Sequence, residues 1–261
     1  MPNEDGPGEP LLSIRGLCKN FSQGAAALDN VNLQLERGRT LGLVGPSGSG
    51  KSTLARCVTF FEKPTAGEIL FEGRALWSLG NRERLRTRAR IQLIFQEPAA
   101  SLNPRFTAAE IIAEPLAIQN RGNRATRLER ACRLMETVGL PPGAAAKPAP
   151  QFSGGERQRL AIARALALDP KLLILDESFS GLDLTLQAQI TALLKDLRQR
   201  LGVTYILISH DLALVAGLAD EIAVMDHGRI VEHADTAQLL AHPQHPRTRE
   251  LIDAAMALEL P

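Results

Sequence analysis

No apolar stretch in this 261-residue chain approaches the ~20 residues a helix needs to cross a bilayer, so a membrane role would require separate membrane subunits. Cysteine is scarce. Cys18, Cys57 and Cys132 make neither a metal-ligand spacing nor an even disulfide set, which suits a reducing cytosol and reads as small buried hydrophobes. Charge of one sign is lacking too: 30 Lys and Arg face 29 Asp and Glu, which argues against a nucleic-acid-binding surface as the main business. Internal repeats are absent, and the opening Met1–Pro10 stretch is polar, acidic and rich in chain breakers. It reads as a flexible tail, not a secretion signal.

What is present is a phosphate-binding pattern. Gly45-Pro46-Ser47-Gly48-Ser49-Gly50-Lys51-Ser52, followed by Thr53, fits G-x-x-x-x-G-K-[ST] between the apolar run Leu41–Val44 and a helical segment from Leu54. Strand, glycine loop and helix together offer several backbone N–H donors to phosphates, since glycines remove Cβ and permit unusual φ/ψ. Lys51 adds a point cation for the β- and γ-phosphates, and the Ser52 hydroxyl is placed for Mg²⁺. A glycine-rich turn that binds nothing is the bland alternative, and the Lys-Ser pair weighs against it.

Leu172-Leu173-Ile174-Leu175-Asp176-Glu177 is a continuous apolar run ending in two acids, as in a buried parallel strand that delivers carboxylates at its carboxyl end. Asp176 is the expected Mg²⁺ partner. Glu177, where strand becomes loop, is placed to accept a proton from water attacking a γ-phosphate.

Between these motifs lies Phe152-Ser153-Gly154-Gly155-Glu156-Arg157-Gln158, opening a helical run from Leu160. It resembles the signature of ATP-binding-cassette (ABC) ATPases. A helix N-terminus with Ser153, Gly154 and Gly155 is an anion site, to which Glu156 adds negative charge, and the resemblance implies that this signature contacts a nucleotide held by a second ABC ATPase subunit. Glu156 stands where the family usually has Gln.

Three smaller motifs extend the resemblance. Gln96, before Glu97-Pro98, is similar to the loop glutamine that approaches Mg²⁺ and the attacking water while hinging a helical subdomain. Asp183 in Ser180-Gly181-Leu182-Asp183 matches the loop crossing the dimer interface; as an N-cap of the next helix it would serve both roles. His210, ending Tyr205–Ser209, takes the family's γ-phosphate contact. Phe21 lies where the family places an aromatic under the adenine, with core packing as the competing reading.

The implied fold class is α/β, a P-loop NTPase of the ABC ATPase type: a mixed core sheet, an antiparallel β subdomain and an inserted helical subdomain. Residues 1–10 form the tail and 11–261 the nucleotide-binding domain, with the helical subdomain at about 98–168. Leu11–Phe21, Ala27–Leu35 and Gly67–Gly73 read as strands of the antiparallel part. Leu128, Ala131, Cys132 and Met135 share a helical face expected in the core, and Ile190 to Leu201 recur at helical spacing up to a stop at Gly202. Glu221–Glu232 reads as two strands around a tight turn. The run Arg82, Arg84, Arg86, Arg88, Arg90 reads as a solvated surface.

Ser101-Leu102-Asn103-Pro104-Arg105 and His242-Pro243-Gln244-His245-Pro246-Arg247-Thr248-Arg249 resemble the oligopeptide, dipeptide and nickel importer branch. Arg247 stands where that branch commonly has Tyr, and Ser178-Phe179 replaces its Pro-Thr or Pro-Val. The tail histidines read as turn residues, not nickel ligands. Membership implies an ATPase, using ATP and Mg²⁺, peripheral on the cytoplasmic face of the cell membrane. Its partners would be a homologous or identical ATPase, two permease subunits and an extracytoplasmic substrate-binding protein. A carbon–phosphorus lyase component is the alternative in the same subfamily. ABC ATPases acting on DNA are more remote, because no heptads or cysteine pairs separate the phosphate loop from the signature. Three scattered cysteines also make an iron–sulfur cluster, found in the tails of some branch members, unexpected here.

Overall fold

Alternating apolar runs and glycine-ended turns fold into two sheets with helices packed on and between them. The computed structural model describes residues 9–21, 26–95, 101–179 and 181–258. Its first half comprises β1 (Leu12–Lys19), β2 (Leu28–Leu35), β3 (Thr40–Val44), α1 (Lys51–Val58), β4 (Ala66–Phe71), β5 (Arg74–Ala75), α2 (Asn81–Arg90), β6 (Ile91–Ile94) and α3 (Ala108–Ile118). There follow α4 (Arg124–Thr137), α5 (Gly154–Leu166), β7 (Leu172–Asp176), α6 (Leu184–Leu201), β8 (Thr204–Ser209), α7 (Leu212–Ala216), β9 (Glu221–Asp226), β10 (Arg229–Asp235), α8 (Thr236–Ala241) and α9 (Pro246–Leu258).

The core sheet has the order β10-β9-β3-β8-β7-β6, parallel from β9 to β6, with β10 antiparallel at one edge. Every residue of β3, β7 and β8 is buried, because helices and the second sheet cover both faces. The smaller sheet, β2-β1-β4-β5, is antiparallel throughout. Its apolar face, including Leu12, Leu17, Leu33 and Phe71, joins Leu41 and Leu43 of β3 and Leu54 and Val58 of α1 in one core cluster. A second cluster joins α3, α4, α5 and α6 to the other face of the core sheet, through residues such as Ile112, Met135, Leu160, Leu175 and Leu194. As expected, Ala131 and Met135 of α4 are buried, while Leu128 packs against the cluster from its rim; Cys132 is only half-buried, as is Cys18, so of the three cysteines Cys57 alone is a core residue. Gly202 ends α6 in the left-handed region.

The arginine run departs from expectation. In a helix, Arg84 and Arg88 share a face, and here that face lies on aromatic rings: the Arg84 guanidinium is 5.8 Å from the Phe60 centroid and 5.7 Å from Trp77, and Arg88 is 5.6 Å from Phe60. Arg90 pairs with Glu72. Arg82, Arg86 and Arg88 are exposed, as the solvated reading expects, and Arg88 lies against Phe60 as well. A guanidinium is attracted to the face of an aromatic ring, so Arg84 and Arg88 help fasten α2 to the adjoining aromatics.

Candidate functional site

The parallel strands bring the chemistry to one edge. Val44 pairs with Ser209 and Asp176 with Ile208, so the loop after β3, the Glu177 turn after β7 and His210 after β8 all leave the same carboxyl end of the sheet. The loop lies very close to β9: a Cβ on Gly45, whose φ is +148°, would come within 2.1 Å of the Met225 carbonyl oxygen. Only glycine fits there. Gly50 then caps α1, again with positive φ (107°), and Lys51 opens the helix.

Lys51 is 4% exposed and folds over the loop, donating from Nζ to the carbonyls of Gly45 (2.8 Å) and Pro46 (2.9 Å). Burial lowers its pKa, while the Glu177 and Asp176 carboxylates oppose that fall. A cation is thus held beside the loop's N–H groups. The Ser52 hydroxyl donates to Asp176 Oδ1 at 3.0 Å, joining motifs separated by 124 positions. Burial raises the Asp176 pKa; the Ser52 bond opposes the rise and the Glu177 charge adds to it.

These oxygens suit Mg²⁺. Octahedral Mg²⁺ with bonds of about 2.0–2.1 Å separates neighbouring ligand oxygens by about 2.9 Å, close to the Ser52–Asp176 spacing. Mg²⁺ also takes few protein carboxylates and completes its shell with phosphate and water oxygens. Among the described residues no group of three or more His, Cys, Asp or Glu could hold a metal by itself.

Glu177 has φ +48°, a left-handed conformation that is costly for a residue with Cβ and that concentrates at functional turns. Its N–H donates to the Ile208 carbonyl at 2.9 Å, which pins the turn to β8. Its carboxylate lies 3.9 Å from His210 Nδ1. A cleft of about 410 Å³ is lined by Ala27, Ser47, Gly48, Gly50 to Thr53 and Glu177. Loop, cation, hydroxyl and carboxylate therefore share one space.

The signature segment stands elsewhere. Ser153 caps α5, its hydroxyl accepting from Glu156 N–H (3.3 Å) while the Glu156 carboxylate accepts from Ser153 N–H (2.8 Å). That is a capping box, and it explains an acid at this position: Glu serves at the third helical position as well as Gln. The Ser153 bonds hold the Glu156 carboxyl below its usual range. Gly155 lies against α6, where a Cβ would come within 2.6 Å of the Leu186 Cδ2 methyl and push that side chain aside. Asp183 caps that same helix, accepting from Leu186 N–H at 2.9 Å. Signature and Asp183 loop are thereby fastened together. Neither lines the phosphate-loop cleft.

Gln96 lies outside the described residues, as do Ser180 and residues 1–8 of the expected tail. Phe21 is 45% exposed, with the Lys19 ammonium 4.8 Å from its ring centroid, so the core-packing alternative is set aside. It is not among the cleft's lining residues.

The structure also adds residues that the motifs did not single out. Ser178, 2% exposed, donates to the Ile94 carbonyl at 3.1 Å and so ties the Glu177 turn to the end of β6, two residues before Gln96. Its replacement of a more usual proline was the available signal. Met225 and Gly228, read only as parts of a hairpin, form the back wall of the phosphate loop: the Gly228 N–H donates to the Ser49 carbonyl at 2.9 Å.

Comparison with known proteins agrees with this arrangement. The ABC transporter family matches residues 28–180, and the chain belongs to it. A putative peptide import ATP-binding protein of Brucella ovis is 50% identical over 94% of this chain and 78% of that one. The dipeptide transport ATP-binding protein DppF of Escherichia coli is 45% identical over 96% of this chain and 78% of its own length. Among solved structures, the dimeric post-hydrolysis state of the ATP-binding cassette MJ0796 bound to ADP and Pi superposes with a TM-score of 0.75 at 30% identity, covering 86% of this chain and 98% of that chain.

Proposed function

We propose that the chain is the ATP-hydrolysing subunit of a peptide importer, converting ATP and water to ADP and phosphate and passing the motion to membrane permease subunits. The observation that carries this reading is the Ser52–Asp176 contact, with Glu177 and Lys51 lining the same cleft. Backbone N–H groups of the loop and the Lys51 ammonium bind the phosphates. Mg²⁺, held by Ser52, Asp176 and phosphate oxygens, would neutralise charge developing on the γ-phosphate. Glu177 takes a proton from the attacking water, and His210 orients the γ-phosphate; Gln96 completes the water site.

The separation of Ser153, Gly154 and Gly155 from the cleft supports their acting on a nucleotide held by a second chain. Adenine stacks on Phe21 in this reading. Specific activity should then rise with protein concentration in the dilute range; activity that stays flat on dilution, with a monomer confirmed by light scattering, would refute the paired arrangement.

Peptide is preferred to nickel as cargo because the relatives described above are named for peptide and dipeptide transport. No helix among the described residues is long and apolar enough to cross a membrane. In this reading the chain docks from the cytoplasmic side on two permease subunits, which receive peptide from an extracytoplasmic binding protein. A strain lacking this chain should lose growth on peptides as the amino-acid source and keep nickel uptake. Loss of nickel uptake alone would reassign the cargo.

A further inference from the structure

The last helix of the described chain is fastened to the wall of the phosphate loop. Turn residues His227 and Gly228 between β9 and β10 both have positive φ (44° and 81°), the geometry of a tight two-residue hairpin. This hairpin touches the loop in two ways: the Met225 carbonyl fills the space where Gly45 has no Cβ, and Gly228 N–H holds the Ser49 carbonyl. A shift of the turn by a fraction of an ångström therefore moves the loop.

α9 is docked on the same hairpin. Glu232 of β10 accepts from the N–H groups of Gln244 and His245, each at 2.9 Å, and from the Thr248 hydroxyl at 2.5 Å. Burial opposes the charged form of Glu232, but these bonds and the neighbouring His245 outweigh it and hold the carboxyl below its usual range. Ile252 packs into one cluster with Val44, the residue before the loop, and with Val224 of β9. From the first turn of α9, Arg247 Nε lies 3.5 Å from Asp226 Oδ2, and Arg247 Nη1 lies 2.6 Å from Glu250. Asp226 is mostly buried, its side chain 15% exposed, so the guanidinium is a cation placed on a carboxylate at the foot of the turn.

We propose that Arg247 and Asp226 are positioning residues for nucleotide binding: α9 acts as a strap that, through this pair, holds the back wall of the phosphate loop in its binding geometry. The inference rests on the ATPase reading above. It also assigns a use to the His-Pro-rich segment, whose Gln244, His245 and Thr248 seat the strap on Glu232 rather than ligating a metal.

The test is ATP hydrolysis and ATP titration on the full chain. Arg247→Met and Asp226→Asn should each raise KM for ATP about two- to fivefold, the range expected for a partly exposed ion pair, with kcat at saturating ATP unchanged. Arg247→Lys should retain most of the affinity. The reversed pair, Asp226→Arg with Arg247→Asp, should recover affinity relative to either reversal alone. Glu250→Gln, which removes the other partner of Arg247, should leave KM unaltered. Unchanged KM in the single variants, or a reversed pair no better than its components, overturns the strap; so does a loss confined to melting temperature. A wild-type chain that binds no ATP would instead overturn the ATPase reading on which the strap depends.

Discussion

ATP turnover by Glu177→Gln is expected to fall by about 10²–10⁴-fold, the usual contribution of a positioned general base, while ATP affinity is retained. Glutamine keeps the size and the backbone donor to Ile208 but cannot take a proton from water. Because hydrolysis would be the step that releases a nucleotide-bound pair, the variant should also accumulate as an ATP-bound dimer. Phosphate release and light scattering with and without ATP measure the two effects. Wild-type turnover would remove Glu177 from its assigned role, whatever the state of association.

Lys51→Ala should act earlier, on binding itself. The loss of a charged donor to the phosphates is worth about 1.5–3 kcal/mol, or roughly 10–150-fold in affinity. In the structure the ammonium also donates to the Gly45 and Pro46 carbonyls and so neutralises two loop acceptors. Its removal thus exposes carbonyl dipoles to a polyanion as well as deleting a cation. Calorimetric titration with ATP would read the loss directly. Tight binding by this variant would count against the phosphate-loop assignment.

Local pattern and tertiary contact contribute differently to this site. The phosphate loop was legible because its residues act together over one short segment, and a strand, a glycine loop and a helix are written in order between Leu41 and Ala55. Asp176 and Glu177 were legible only in combination: acids after an apolar strand are often just a solvated strand end, and it was the phosphate-loop pattern elsewhere in the chain that gave them a use. The strand before the loop, the strand after Gly202 and the hairpin of β9 and β10 also follow from apolar periodicity and turn residues, since these act between positions close in the chain, whereas the two-sheet architecture was implied by the family resemblance.

Contacts between distant segments needed the fold. The same letters that read as a charge run became two stacked faces in Arg84 and Arg88, because only the packed helix decides which side meets Phe60 and Trp77. Ser178 looked like a departure from a family pattern and became a tie between two strand ends. Glu156, an acid at an anion site, became half of a capping box. The clearest case is Gly45, whose need for glycine is set by the carbonyl of Met225, 180 positions later in the chain. Hydrophobic period and glycine loops are properties of neighbouring residues, whereas a hydrogen bond or a van der Waals wall depends on which remote backbone atom the folded chain brings within about 3 Å. Strand order decides that, and strand order is a property of the whole sheet.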